Sequence, residues 1–207
     1  SSGWGCGMDN LPRCDLELIP DSEDWMLETF NNSYMSWIDA TLQAAMSCEY
    51  LIMMAEELGI TDDVDALRDE YDNLIRFVNE KMWSEKDGFY YDLKADGSFL
   101  AVKTVAAFWA LIAKIAPPDR VDALCRHLED KNEFTRPNRV PALSADHPDY
   151  KDNGGYWNGG VWAPTNYMVL CGLSANGKEK LAKDIAECCY QNAMEVYRKT
   201  GTFWENY

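Results

Sequence analysis

Three times along this chain, a segment of helical spacing that is apolar on nearly every side is followed by one that is apolar along a single stripe. From Ser36 to Leu58 the side chains Trp37, Ile38, Leu42, Ala45, Met46, Cys48, Leu51, Ile52, Met53 and Met54 leave hardly any polar face, which predicts a helix enclosed by protein. Gly59 stops it. The next helix starts at a Thr61 cap and sets Val64, Leu67, Tyr71, Leu74, Ile75, Val78 and Met82 three and four residues apart, with acids and bases on the other side. It covers the first helix and faces water. Thr104 to Ala116 and Pro164 to Leu173 are again apolar almost all round, and each is followed by a one-striped partner, the first after Pro117-Pro118 and running to Glu129, the second after Asn176-Gly177 and running to Lys199.

Six helices that read as inner, outer, inner, outer, inner, outer, with no repeat of sequence, define an all-α chain of three helical hairpins, as in toroids and solenoids. Connections from an inner to an outer helix are short: Gly59-Ile60, Pro117-Pro118, and Ser174 to Gly177. Connections from an outer to the next inner helix are long. The first holds a β-hairpin, Phe89 to Leu93 and Phe99-Leu100 about a turn near Ala95-Asp96-Gly97, and the second runs from Lys131 to Trp162. In a ring of antiparallel hairpins the long connections all emerge on one rim, and that crowded rim is where a site is expected.

Charge and composition narrow the partners. Nineteen Lys plus Arg against 35 Asp plus Glu give a net charge of −16, and the cations are scattered, a surface that repels phosphate backbones and argues against nucleic acid. The longest apolar run, Thr104 to Ala116, is interrupted by Lys114 and too short to span a bilayer. Ser1 to Gly7 lacks the basic start and apolar centre of a signal peptide. The 207 residues therefore read as an internal piece of something longer, with the remainder of the parent chain as a partner. Seven cysteines, Cys6, Cys14, Cys48, Cys125, Cys171, Cys188 and Cys189, are an odd set without CxxC spacing. They read as buried reduced thiols and slightly favour the cytoplasm. With His127 and His147 as the only histidines, no metal site and no cofactor is expected.

Three segments on the long-connection side combine Trp, Gly and carboxylates: Gly3 to Arg13, Gly154 to Trp162, and Phe203 to Tyr207. Indole rings stack on the apolar faces of sugars while neighbouring carboxylates and amides bind hydroxyls, so these segments suit a carbohydrate cleft. Glycosidic cleavage needs one acid to protonate the leaving oxygen and one carboxylate to activate water or attack carbon. The rim offers Asp9 and Glu205. Asp9 also fits an ordinary Asx-turn, and Arg13 four residues on either pairs with it or binds substrate. Glu205, between Trp204 and Tyr207, lies either in an apolar setting that raises its pKa or in solvent. Asp39 opens a buried helix and also fits a cap or a helix-dipole partner.

The segments Gly7-Met8-Asp9-Asn10-Leu11-Pro12-Arg13, Ser36-Trp37-Ile38-Asp39-Ala40, Gly155 to Tyr167 and Trp204-Glu205-Asn206-Tyr207 resemble the ordered signatures of the trehalase-like clan of glycoside hydrolases. They are most similar to glycoside hydrolase family 63 and the mannosylglycerate-hydrolase-like domains. The resemblance implies an (α/α)6 barrel of which residues 1–207 form about half, a catalytic domain truncated at both ends. It also implies an inverting mechanism with Asp9 as general acid and Glu205 as general base. Arg13, Asp39, Trp157 and Trp162 match positions that line the sugar subsite in such enzymes, and Trp4, Tyr156, Asn158 and Asn166 join them as candidate substrate-binding residues. Two departures concern substrate choice: Gly159-Gly160 stands where Gly-Pro is common between the paired tryptophans, and Cys6 where Ser is common. The implied activity is hydrolysis of an α-linked glucoside, mannoside or oligosaccharide. The alternatives are a trehalase-type disaccharide hydrolase and a non-catalytic carbohydrate-binding helical module.

Overall fold

The computed structural model describes residues 7–14 and 35–207; Trp4 and Cys6 lie outside the described residues. Helices α1 (Ile38–Leu58) and α2 (Val64–Lys81) form the first pair. They are followed by strands β1 (Trp83–Ser84), β2 (Phe89–Tyr90), β3 (Asp92–Leu93) and β4 (Phe99–Leu100). A 3-10 turn, Val105–Phe108, leads into α3 (Trp109–Ile112), and α4 (Pro118–Glu129) completes the second pair. The third pair is α5 (Ala163–Ala175) and α6 (Glu179–Thr200).

The inner helices are neighbours in chain order, α1 against α3 and α3 against α5, while α2 and α6 pack outside α1 and α5. The α3–α5 crossing is close: a Cβ on Gly172 would stand 2.7 Å from Leu111 Cβ and 2.8 Å from the Ile112 nitrogen. Only glycine lets these two backbones approach so far. Around them Phe89, Phe108, Phe134, Leu111, Leu124 and Val169 form the centre of the core.

Several local expectations change. The α2 helix begins at Val64 after Asp63 in a left-handed conformation, without a side-chain cap, so Thr61 is not its cap. The second inner helix is shorter than Thr104 to Ala116. Lys114, at φ 55°, takes the left-handed position that closes a helix, and Ile115 N–H donates to the Ala110 carbonyl (3.3 Å). Gly59 closes α1 in the same way, with Ile60 N–H on the Ala55 carbonyl at 2.9 Å. The single hairpin expected over residues 89–100 is two: β2 pairs back with β1, and only β3 pairs with β4. Finally, the later half of α1 is not enclosed. Tyr50, Leu51, Met53, Met54 and Leu58 are exposed, because no described segment packs on that face.

The long connections do share one side, and they are stitched there in a regular way. Three isolated antiparallel bridges join Ser36 to Leu93, Thr104 to Leu143 and Trp162 to Asn206. Each first partner lies just before an inner helical segment, and each second partner lies in the connection after the following outer helix. Ala142 N–H also donates to the Gly160 carbonyl (3.0 Å), so the second connection is tied to itself beneath the rim.

Candidate active site

The Asp9 turn is held from below. Met8 and Leu11 are buried, and Leu11 N–H closes on the Met8 carbonyl at 3.2 Å, which leaves Asp9 half-buried and Asn10 exposed above them. The 3-10 turn Pro12–Cys14 then sends Arg13 into the interior, where it is 0% exposed. Its Nη1 donates to Asp39 Oδ2 (2.9 Å) and its Nη2 to Asp39 Oδ1 (2.8 Å). Asp92 Oδ1 accepts from Nη2 at 2.8 Å, its Oδ2 forms an ion pair with Nε at 2.8 Å, and the guanidinium lies 4.8 Å over the Trp37 ring. Asp92 Oδ1 also accepts the Ile38 N–H at the start of α1 (2.8 Å).

Asp39 and Asp92 are 2% and 3% exposed, so one guanidinium is sealed in with two carboxylates, and the planar fork suits bidentate pairing with both. Burial pushes the Asp92 carboxyl above the usual carboxylate range, with Arg13 pulling down and the Asp39 charge adding to the rise. The structure thus places Arg13 and Asp39 beneath the surface, paired with one another. This ties the acid turn to α1 and to the first strand of the second hairpin.

Above this base runs the strap 154–162. Gly154 and Gly155 have φ of 96° and 50° and Tyr156 has φ 63°, a left-handed run that turns the chain sharply. A Cβ on Gly159 would stand 2.1 Å from the Lys151 carbonyl oxygen, and one on Gly160 would stand 2.2 Å from the Tyr156 carbonyl oxygen. Gly160 N–H donates to that same Tyr156 oxygen (3.1 Å), a bond that a proline there could not make. Local packing therefore accounts for Gly159-Gly160.

The strap's two tryptophans are buried and stacked on each other, Trp157 on Trp162, with centroids 3.9 Å apart and planes at 4°. Tyr156 meets Trp162 edge-on (5.2 Å, 75°) and is itself 44% exposed. The exposed aromatic of the strap is thus Tyr156 rather than either indole. Asn158 is half-buried. Asn166, in the first turns of α5, is buried and donates to the Arg139 carbonyl (2.8 Å) and Cys189 Sγ (2.9 Å), binding α5 to α6.

The Asp9 carboxylate meets this strap directly, and the Glu205 segment meets it through the backbone. Tyr156 Oη donates to Asp9 Oδ2 at 3.1 Å. Asn10 Nδ2 donates to the Gly155 carbonyl (2.9 Å) and Asn10 Oδ1 accepts Trp157 N–H (2.9 Å). At the other end, Val161 N–H donates to the Tyr207 carbonyl (2.8 Å) and Tyr207 N–H to the Val161 carbonyl (2.9 Å). These bonds flank the Trp162–Asn206 bridge and carry Glu205, which is exposed. The Tyr156 hydroxyl titrates above its ordinary value, chiefly through its hydrogen bond to Asp9, with the Glu205 charge contributing. Beside Glu205 lies a cavity of about 480 Å³ walled by Tyr167, Leu170, Trp204 and Tyr207. Among the described residues no cluster of His, Cys, Asp or Glu could hold a metal ion, and no helix is long and apolar enough to cross a membrane.

Two residues escape a reading of the sequence. Asn10 lies inside the Gly-Met-Asp-Asn motif but carries no signal there that sets it apart from an ordinary turn residue. Asp92 had one signal, an acid within the apolar run Phe89-Tyr90-Tyr91-Asp92-Leu93.

Inner and outer helix pairs with a carboxylate-bearing rim are the architecture of (α/α)6 glycoside hydrolase domains. Residues 2–207 match the mannosylglycerate hydrolase MGH1-like glycoside hydrolase domain, and the chain belongs to that family. It is 26% identical over 221 residues to a probable mannosyl-oligosaccharide glucosidase of Schizosaccharomyces pombe, an alignment covering 97% of this chain and 25% of that protein. The crystal structure of the GH63 mannosylglycerate hydrolase of Thermus thermophilus in complex with Tris superposes with a TM-score of 0.79 at 20% identity, over all of this chain and 57% of that one. The neutral trehalase of Saccharomyces cerevisiae gives a TM-score of 0.67 at 16% identity, over 84% of this chain and 34% of that one. The chain spans about a quarter of the length of the curated relatives it matches.

Proposed function

We propose that residues 1–207 are part of the catalytic domain of an inverting glycosidase that cleaves an α-linked glucoside or mannoside, with Asp9 as general acid and Glu205 as general base. The observation that carries this reading is the strap 154–162, which receives the Asp9 carboxylate at Tyr156 and the Glu205 segment at Val161. Two acids from opposite ends of the sequence thereby attend one aromatic ledge. In the reaction Asp9 gives its proton to the glycosidic oxygen as the bond to the anomeric carbon breaks. Glu205 takes a proton from the water that attacks that carbon from the opposite face. The products are a free alcohol and a sugar of inverted configuration, and exchange with solvent restores both carboxyls.

The test uses the complete protein that carries this domain. It is screened against trehalose, kojibiose, nigerose, glucosylglycerate and mannosylglycerate for released monosaccharide, and proton NMR follows the first-formed sugar. The β-anomer is expected from an α-glycoside. An initial α-anomer would overturn the inverting assignment, and no release across a wide panel would favour the sugar-binding module.

A further inference from the structure

Asn10 and Tyr156 close a ring of contacts around the proposed acid. The Asn10 amide brackets the backbone on both sides of Tyr156, giving a hydrogen bond to the Gly155 carbonyl and taking one from Trp157 N–H, each at 2.9 Å. Tyr156 sits at φ 63°, a conformation that an aromatic residue adopts only where its surroundings hold it. The bracket and the Gly160 N–H on its carbonyl supply that hold. From this position the hydroxyl turns back and donates to Asp9 Oδ2 at 3.1 Å.

We propose that Tyr156 is a positioning residue for proton donation by Asp9, and that its hydroxyl, held by the Asn10 bracket, occupies Oδ2 so that Oδ1 carries the transferable proton. The inference rests on the reading of Asp9 as general acid. In a protonated carboxyl the oxygen without the proton is the better acceptor, so donation to Oδ2 selects Oδ1 as the acidic oxygen. As the glycosidic bond breaks, the proton moves from Oδ1 to the leaving oxygen and Asp9 becomes a carboxylate. The hydrogen bond from Tyr156 is then charge-assisted. The contact strengthens along the reaction, so its loss lowers turnover more than binding.

In the complete protein, Tyr156→Phe keeps the ring and its edge contacts and removes only the hydroxyl. Rates are compared on two α-glycosides of the same sugar: a methyl glycoside, whose leaving alcohol needs a proton, and a 2,4-dinitrophenyl glycoside, whose leaving group needs none. The expected result is a loss of kcat about tenfold larger on the methyl glycoside than on the dinitrophenyl glycoside. Equal losses on both substrates would overturn the proposal, because a structural disturbance slows both.

Asn10→Ala is expected to show the same dependence on leaving group, and the double variant to be no slower than the slower single variant. Additive losses would overturn the action of Asn10 through Tyr156. Asp9→Asn separates this inference from the reading beneath it. Equal loss on both substrates for Asp9→Asn removes the acid assignment and the proposal together. Leaving-group dependence in Asp9→Asn without any in Tyr156→Phe removes the proposal alone.

Discussion

Leu93 bridges to Ser36 in front of α1, and Asn206 bridges to Trp162 in front of α5. Asp92 and Glu205, each one residue before its bridge, therefore stand at corresponding places in the first and third helical pairs. Asp92 is sealed in, with its oxygens on Arg13 and on the Ile38 N–H. Glu205 is exposed, carried by the backbone pairing of Val161 with Tyr207, and its charge bears on the Tyr156 hydroxyl. In the middle pair the same place holds Ala142, whose N–H and C=O serve Gly160 and Val105. One recurring backbone position thus holds a scaffold ion, an apolar spacer and an open acid. The surroundings of that position differ: at Asp92 a buried guanidinium takes up the carboxylate, and at Glu205 the rim leaves the carboxylate exposed.

The largest expected effect that tests this contrast is on turnover. In the complete protein Glu205→Gln should lower kcat by about 10²–10⁴-fold while leaving the melting temperature near that of the unaltered protein, read by steady-state kinetics and thermal unfolding. Asp92→Ala should do the reverse to stability. Removing one partner of a buried ionic cluster lowers the unfolding free energy by about 3–5 kcal/mol, measurable by denaturant titration. Unchanged unfolding in Asp92→Ala would erase the distinction between the two acids.

A smaller effect sharpens the contrast through pH. The native Asp92 carboxyl titrates above its unfolded value of 3.8, so the folded state holds the proton that the unfolded chain has lost. This stability is fully present below the unfolded value and declines as pH rises through the native one. Asp92→Asn should flatten that decline in unfolding free energies measured across the acidic range, whereas Glu205→Gln should leave it in place. The smallest effect concerns the exposed end of α1. Leu58→Ala in the 207-residue chain should change the unfolding free energy by less than about 0.5 kcal/mol, against about 2–5 kcal/mol for Leu111→Ala in the buried α3. A large loss at Leu58 would mean that this face is covered in solution.

How far the sequence could be read follows from the range of the forces involved. The three helix pairs, the long connections on one rim and the Gly and Trp strap were legible because apolar periodicity and glycine-dependent turns are properties of a few consecutive residues. The closure at Gly59 was legible for the same reason, while the equivalent closure at Lys114 was not, because a lysine carries no local signal for a left-handed residue. The sequence also marked Asp9 and Glu205 as acids in segments rich in Gly and Trp. Only the tertiary structure decided that Arg13 turns inward to Asp39 and Asp92, that Trp157 and Trp162 stack on each other, and that Tyr156 is the aromatic left facing Asp9. The ion pairs and the Tyr156–Asp9 contact join residues 26, 79 and 147 positions apart. An ion pair or a hydrogen bond has no periodicity along a chain, so it takes its partner only when the bridges and helix crossings have brought the two side chains together.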